Sequence, residues 1–410
     1  MEIWRQQPEV DPGTLGVDAG ILDEIAEKFG EAVEAGELFH GASLAVYRGG
    51  KQLLDIGGGM GRVRTAEPVN PDTLFVMFSA TKGLAALAML MLYERGQFHY
   101  DEPVIKYWPS FADVIPEKRS ITIRHVMSHR AGFPTGPAWL KPRHWADRDA
   151  LRRAMEEVPL VSTPGEKNAY HPNNFGHVVN ELMLRIDGRD CGRFLSEEVF
   201  SPLGLGDIYV GLPEDEKLEA RIAWCYNEIG DASAARVMGV RSDVDAAAPE
   251  ELSSGPRDVA AERYADTPEH DHPFNRPEVH RAVLPASGGI STARDLAKVY
   301  AALALGGELD GVRLLRKESL DHATTPTNRR DEVDATVGFP LRWGTGWHMG
   351  LHGRGSTLRT FGHAGAGGQV GFADPERGLA FAFLTNGELE TEFILWRMKL
   401  QSLVFRACCG

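Results

Sequence analysis

The sequence predicts a mixed α/β (α+β) fold: one antiparallel sheet flanked by helices, with a mainly helical domain inserted between the halves of the sheet. Three observations predict it. Hairpin patterns lie near both ends of the chain, amphipathic helix patterns flank them, and the sequence between is helical and loop-rich. Elements from both ends, parted by a long helical stretch, are most economically joined as one sheet with an insertion. The expected boundaries are residues 1–75 and 285–410 for the sheet domain and 76–284 for the helical domain.

Taken in order, Ile21, Leu22, Ile25, Phe29 and Val33 recur at helical spacing, and Gly36 stops the run. Residues 42–47 and 52–56 are strand-like on either side of Arg48-Gly49-Gly50-Lys51, a hairpin signal. Residues 80–95 are apolar on nearly every face, so this helix should be buried. A stretch rich in Ala, Asp, Glu and Pro at about 228–275 has weak periodicity and reads as a lid-like surface excursion. Residues 291–305 read as a helix ended by Gly306-Gly307. Residues 368–373 and 379–384 form a second hairpin across Asp374-Pro375-Glu376-Arg377-Gly378, and 390–408 a closing helix.

A chain of 410 residues supports one composite fold or two domains. Its 43% hydrophobic and 25% charged residues are ordinary for a soluble globular protein. A net charge of -14 repels nucleic acid and anionic membranes, so neither is an expected partner. The first residues lack the basic start and apolar run of a secretory signal, and the apolar run 84–92 stops at Tyr93-Glu94-Arg95-Gly96, short of a membrane span. Cys191, Cys225, Cys408 and Cys409 show no C-x-x-C spacing, which fits reduced thiols in a cytoplasm. A homo-oligomer stays open.

The informative stretch is Phe75-Val76-Met77-Phe78-Ser79-Ala80-Thr81-Lys82-Gly83. Residues three apart share a helix face, so the Ser79 hydroxyl and the Lys82 amine can meet. A serine hydroxyl needs a base to take its proton. A lysine with an ordinary pKa of about 10.4 cannot serve, but a desolvated one can, because burial disfavours the ammonium. Helix-start N–H groups beside Ser79 have no intrahelical partner and can meet an oxyanion. Taken alone, Ser-x-x-Lys is also what a helix-capping serine and a solvated lysine look like.

The passage resembles the serine β-lactamase and penicillin-binding-protein superfamily, whose signature includes S-x-x-K. Asp72-Thr73-Leu74-Phe75 leads into the motif; Leu92-Tyr93-Glu94-Arg95-Gly96, Asp101-Glu102-Pro103-Val104 and residues 121–132 follow it in an order similar to the class C branch and the family VIII carboxylesterases. The likeness runs from about residue 40 to 390 and implies a β-lactamase-like fold. It implies that Tyr170, in Asn168-Ala169-Tyr170-His171-Pro172-Asn173, is a proton acceptor or relay coupled to Lys82. Where the family motif Y-x-N has asparagine this chain has Pro172, and Asn173 is the substitute. The family's K-T-G or H-x-G strand corresponds to His363-Ala364-Gly365, which implies that the Ala366 N–H joins that of Ser79 in an oxyanion hole, with His363 and Gly365 beside the substrate. A neutral imidazole attracts a β-lactam carboxylate poorly, which favours uncharged esters. Trp343 and Trp347, in Trp343-Gly344-Thr345-Gly346-Trp347, are expected to line the substrate pocket, although a structural strand would use them equally well.

The expected activity is that of a serine carboxylesterase acting on a short-chain, small-molecule ester through an acyl-enzyme on Ser79. A β-lactamase, a D-residue peptidase or amidase, and an acyltransferase are the alternatives within this chemistry. A catalytically inactive binding module of the same fold is the alternative outside it. There is no Gly-x-Ser-x-Gly elbow. His125 and His129 are spaced like zinc ligands, but Val126 stands where H-E-x-x-H needs glutamate. No metal and no cofactor are expected.

Overall fold

A computed structural model describes residues 3–226, 272–350, 353–387 and 391–408 of the chain. The expected excursion at about 228–275 therefore lies, up to Asp271, outside the described residues.

The N-terminal part supplies β1 (Ile3–Arg5), β2 (Gly41–Arg48), β3 (Lys51–Arg62) and the short β4 (Glu67–Pro68). Three short strands, β5 (Phe75–Val76), β6 (Ile208–Val210) and β7 (Gly289–Ser291), make a small second sheet in the order β5-β7-β6. A two-stranded hairpin, β8 (Glu308–Leu309) with β9 (Val312–Arg313), follows. The C-terminal part adds β10 (His348–Met349), β11 (Phe361–Ala364), β12 (Val370–Asp374) and β13 (Leu379–Thr385). The large antiparallel sheet runs β1-β3-β2-β13-β12-β11-β10, with β4 on β3. The two ends of the chain meet at its centre, where β13 pairs with β2 from Leu379↔Arg48 to Thr385↔Ala42.

The period-two pattern of the central strands sorts their side chains onto two faces. Leu44, Val46, Phe381 and Phe383 face one core with the helices Ala19–Ala35 and Thr391–Ala407. Ala45, Tyr47, Ala380 and Ala382 face the other core with the helices Thr81–Glu94 and Ala293–Ala304. Both faces are covered, so β13 is buried along its whole length. The N-terminal helix has the caps its sequence promises. Asp18 accepts from the Gly20 and Ile21 N–H groups, and Gly36 takes a left-handed φ of 64°.

Between β5 and β7 the described chain is mostly short helices and turns, but β6 interrupts it. Three residues with no flanking alternation carry too little pattern to be read as a strand; β6 exists because β7 supplies its partner. The helix Thr81–Glu94 is buried from Thr81 through Leu92, as its all-round apolar sequence requires. That burial is what takes Lys82 out of water.

Candidate active site

The segment that carries Ser79 is pinned at both ends. The Met77 N–H donates to the Gly289 carbonyl at 2.7 Å, which extends the β5–β7 pairing. Phe78 then turns with a left-handed φ of 44°. For a bulky residue this region costs on the order of 1–3 kcal/mol, so the surroundings must hold it. The Thr81 hydroxyl does so: it donates to the Phe78 carbonyl at 2.6 Å and accepts the Gly289 N–H at 3.0 Å. The Phe78 ring packs edge-on against Phe274 at 4.9 Å. Ser79 lies in the 3-10 turn Phe78–Ala80, just ahead of the buried helix, and is half-buried.

Two groups converge on the Ser79 hydroxyl. Lys82 Nζ lies 3.0 Å from Ser79 Oγ, and the Tyr170 hydroxyl donates to Oγ at 2.8 Å. Lys82 is 0% exposed, and burial holds its pKa well below the ordinary lysine value. Its amine also donates to the carbonyls of Pro172 at 2.6 Å and Ala286 at 2.9 Å. A neutral amine has two hydrogens and one lone pair. With both hydrogens on the carbonyls, the lone pair is left facing Oγ.

Tyr170 is fixed along its backbone and across its ring. Its N–H donates to Asp334 Oδ1 at 2.9 Å, and Thr336 Oγ1 donates to its carbonyl at 2.9 Å. Trp343 stacks on the ring at 5.6 Å and 12°. Burial raises the Tyr170 pKa, the bond to Ser79 opposes the rise, and the Asp334 carboxylate adds to it. The phenol therefore keeps its proton at neutral pH.

Three of the expected substrate contacts lie inside the fold. Trp343, Trp347 and His363 are each 0% exposed. Trp343 backs Tyr170, and Trp347 packs on Phe361 inside the fold. Aromatic residues beside a site read the same in sequence whether they line the pocket or support it. His363 lies in a layer of rings behind Tyr170, stacked on His348 at 4.0 Å. Its Nδ1 faces the Ala364 carbonyl at 2.8 Å, so Nδ1 carries the proton of a neutral ring. Burial is the main reason its pKa is held well below the usual histidine value.

Of the remaining expected contacts, Asn173 is half-buried, and with Pro172, Trp145 and His177 it lines a cavity of about 250 Å³. Lys82 bonds the backbone carbonyl of Pro172, the residue at the motif position, and not the Asn173 side chain. A larger cavity of about 480 Å³ is lined by Arg130, Lys167, Asn168, Arg329 and Glu332 and does not include Ser79, Lys82 or Tyr170. Gly365 follows β11 directly. A Cβ there would fall 2.6 Å from the Met77 carbonyl, so its lack of a side chain lets the turn abut the segment that carries Ser79. The Gly365 N–H is committed to the Gln369 carbonyl at 2.7 Å, which leaves the exposed Ala366 at the tip of the turn.

Sequence reasoning passed over Thr81, Ala286 and Asp334. Thr81 was detectable, being a hydroxyl inside the motif itself. Ala286 acts through its carbonyl and has no side-chain signal. The helix that would align His125 with His129 ends at Met127, and His129 takes a φ of 58°. Among the described residues no group of three or more His, Cys, Asp or Glu side chains is placed to hold a metal ion. No helix among them is long and apolar enough to cross a membrane.

The family model described as Beta-lactamase matches residues 25–402. The chain is 32% identical over 358 residues to the esterase/beta-lactamase LipL of Mycobacterium tuberculosis, covering 86% of this chain and 78% of that protein. Among solved structures it is similar to a penicillin-binding-protein homologue from Caulobacter crescentus, with a TM-score of 0.78, 28% identity, and coverage of 99% of this chain and 100% of that one. A family VIII carboxylesterase matches with a TM-score of 0.75, 26% identity, and coverage of 98% and 100%. The motif order, the fold and the match across nearly the whole length agree: the chain belongs to the Beta-lactamase family.

Proposed function

We propose that the protein is a serine carboxylesterase that cleaves short-chain esters through an acyl-enzyme on Ser79. The observation that carries this reading is the convergence of Lys82 Nζ and the Tyr170 hydroxyl on Ser79 Oγ, at 3.0 and 2.8 Å, with Lys82 oriented by two carbonyls. Ser79 Oγ attacks the ester carbonyl while the Lys82 amine takes its proton. The carbonyl oxygen becomes an oxyanion between the N–H groups of Ser79 and Ala366. Tyr170 donates its proton to the departing alkoxide and regains one from the Lys82 ammonium. Water then gives a proton to the restored amine and attacks the acyl group. Ser79 Oγ leaves, recovers that proton, and the acid departs.

The preference for esters over β-lactams rests on charge. His363 is neutral and buried at the position where the family's K-T-G motif offers a lysine, so a substrate carboxylate gains no ion pair there. The name of LipL pairs esterase with beta-lactamase and so supports hydrolysis without ranking the two; the family VIII carboxylesterase supports the ester. The test compares wild type with Ser79→Ala on a short nitrophenyl ester and on a chromogenic cephalosporin. Ester turnover should dominate and vanish in the variant. Equal ester turnover in both proteins removes Ser79 as nucleophile, and dominant cephalosporin turnover replaces the esterase reading with a β-lactamase.

A further inference from the structure

The turn from Gly365 to Gln369 is closed on itself. The Gly365 N–H donates to the Gln369 carbonyl at 2.7 Å and the Gly368 N–H to the Gly365 carbonyl at 3.1 Å. The Gln369 side chain accepts the Gly367 N–H at 3.0 Å and donates to the Thr385 carbonyl at 2.7 Å on β13. Gly368 takes a left-handed φ of 92°, and a Cβ there would lie 2.0 Å from the Phe393 ring, so the C-terminal helix presses directly on the turn. From the same helix Arg397 Nη1 donates to the Gly368 carbonyl.

Arg397 is an unusual residue for such a place. It is only 9% exposed, its Nε has no hydrogen-bond partner, and among the described residues no carboxylate pairs with it. Burial lowers its pKa only to about 10, so it remains a cation at neutral pH. An unpaired buried cation is costly to keep for packing alone. A neutral donor would hold a helix to a turn. A cation in addition polarises the peptide it bonds and favours negative charge on the far side of the turn.

We infer that Arg397 is a positioning residue for acyl transfer, holding the Gly365–Gln369 turn through the Gly368 carbonyl so that the Ala366 N–H meets the oxyanion in register with Ser79. This rests on the reading of the protein as a serine hydrolase. The role reaches the reacting atoms only through the turn, so it should affect the transition state more than ground-state binding.

The test uses the full chain with Arg397→Met, which removes donor and charge, and Arg397→Lys, which keeps both. Two readouts are taken on folded protein: kcat and KM on the nitrophenyl ester, and amide hydrogen exchange at Gly367 and Gly368, whose N–H groups are bonded within the turn. The methionine variant should lose at least tenfold in kcat with KM within about twofold, and exchange at the two amides should quicken at least tenfold while that of β13 stays unchanged. The lysine variant should recover to within about threefold of wild type. A methionine variant with wild-type kcat and wild-type exchange overturns the inference, as does a lysine variant as impaired as the methionine one. Should the methionine variant not fold, Arg397→Leu, which likewise removes donor and charge, replaces it with the same readouts. If wild type neither turns over the ester nor is labelled at Ser79 by a fluorophosphonate, the hydrolase reading has failed, and the exchange measurement still decides whether Arg397 holds the turn.

Discussion

Replacing Thr81 by valine keeps the shape of the side chain and removes only its hydroxyl. That hydroxyl makes two buried hydrogen bonds, to the Phe78 carbonyl at 2.6 Å and from the Gly289 N–H at 3.0 Å. The Phe78 carbonyl keeps a second partner, the Thr81 N–H of the turn. The Gly289 N–H keeps none and is left buried without an acceptor, a loss of about 1–3 kcal/mol. With the donated bond, worth roughly 1 kcal/mol, the variant should be less stable by about 2–4 kcal/mol in urea unfolding.

The effect on rate should exceed what stability explains. Phe78 holds a φ of 44° because the Thr81 hydroxyl bonds its carbonyl and Met77 is tied to Gly289. Without the hydroxyl Phe78 can relax, and Ser79 moves with it. A misplacement of about 1 Å in a reacting group costs on the order of 10²-fold, so kcat on the nitrophenyl ester should fall about that much in folded Thr81→Val. Thr81→Ser, which keeps the hydroxyl, should stay within about threefold. A valine variant with wild-type stability and wild-type kcat refutes the pinning argument, and so does a serine variant as slow as the valine one.

Three further outcomes follow from the geometry. In the proposed mechanism the amine form of Lys82 is the base, and burial lowers its pKa, so kcat/KM should rise with pH along a limb centred well below 10.5; Lys82→Arg should abolish both limb and activity, and a limb centred at 10 or above contradicts the assignment. His171 and His177 are buried with pKa values lowered to about 4 from 6.5. Because the folded state binds fewer protons, their stabilisation is complete above about pH 6.5 and lost as pH falls toward 4, up to about 3 kcal/mol each; His177→Gln should flatten the fall in unfolding free energy between pH 6.5 and 4.5, and an unchanged slope contradicts this. Asp334 accepts the N–H groups of Tyr170, Thr336 and Val337 at 2.9, 2.9 and 3.2 Å; Asp334→Ala should cost at least about 3 kcal/mol in urea unfolding and lower kcat, with Asp334→Asn intermediate.

How far the sequence revealed this molecule depended on the range of each signal. The sheet was legible because β2 with β3 and β12 with β13 are hairpins, whose turns and alternation lie within a few residues. The pairing of β5 and β6 with β7 was not, because two- and three-residue strands exist only by virtue of distant partners. Ser79 and Lys82 were legible because helical spacing alone brings them together. Pro172 stood out only as a departure from the family motif, since its contact with Lys82 is made by its carbonyl. The left-handed turn at Phe78 had no signal at all: a phenylalanine is not the residue that announces a positive φ. Arg397 looked like any cation in the last helix until the structure buried it against Gly368.

The neutrality of the site ties these observations to the proposed chemistry. Around Ser79 burial pushes each titratable group toward its uncharged form: Lys82, His129, His171 and His363 downward, Tyr170 upward. With these groups neutral, and the Arg397 charge committed to the Gly368 carbonyl behind the turn, the centre offers an anionic substrate no direct ion pair and accepts a neutral ester without penalty. Charge arises there only when Ser79 attacks, as an ammonium on Lys82 and an oxyanion at the carbonyl. In a low-dielectric site each new charge needs a partner already in place. For the ammonium those partners are the Pro172 and Ala286 carbonyls, which take the same two hydrogens before and after the proton arrives. The pair that aims the lone pair at rest therefore also stabilises the charged product of the transfer. A side-chain amide in place of the Pro172 carbonyl could rotate away about its own torsions; a backbone carbonyl is held by the chain on both sides, and the ring of Pro172 removes φ from the torsions that could move it.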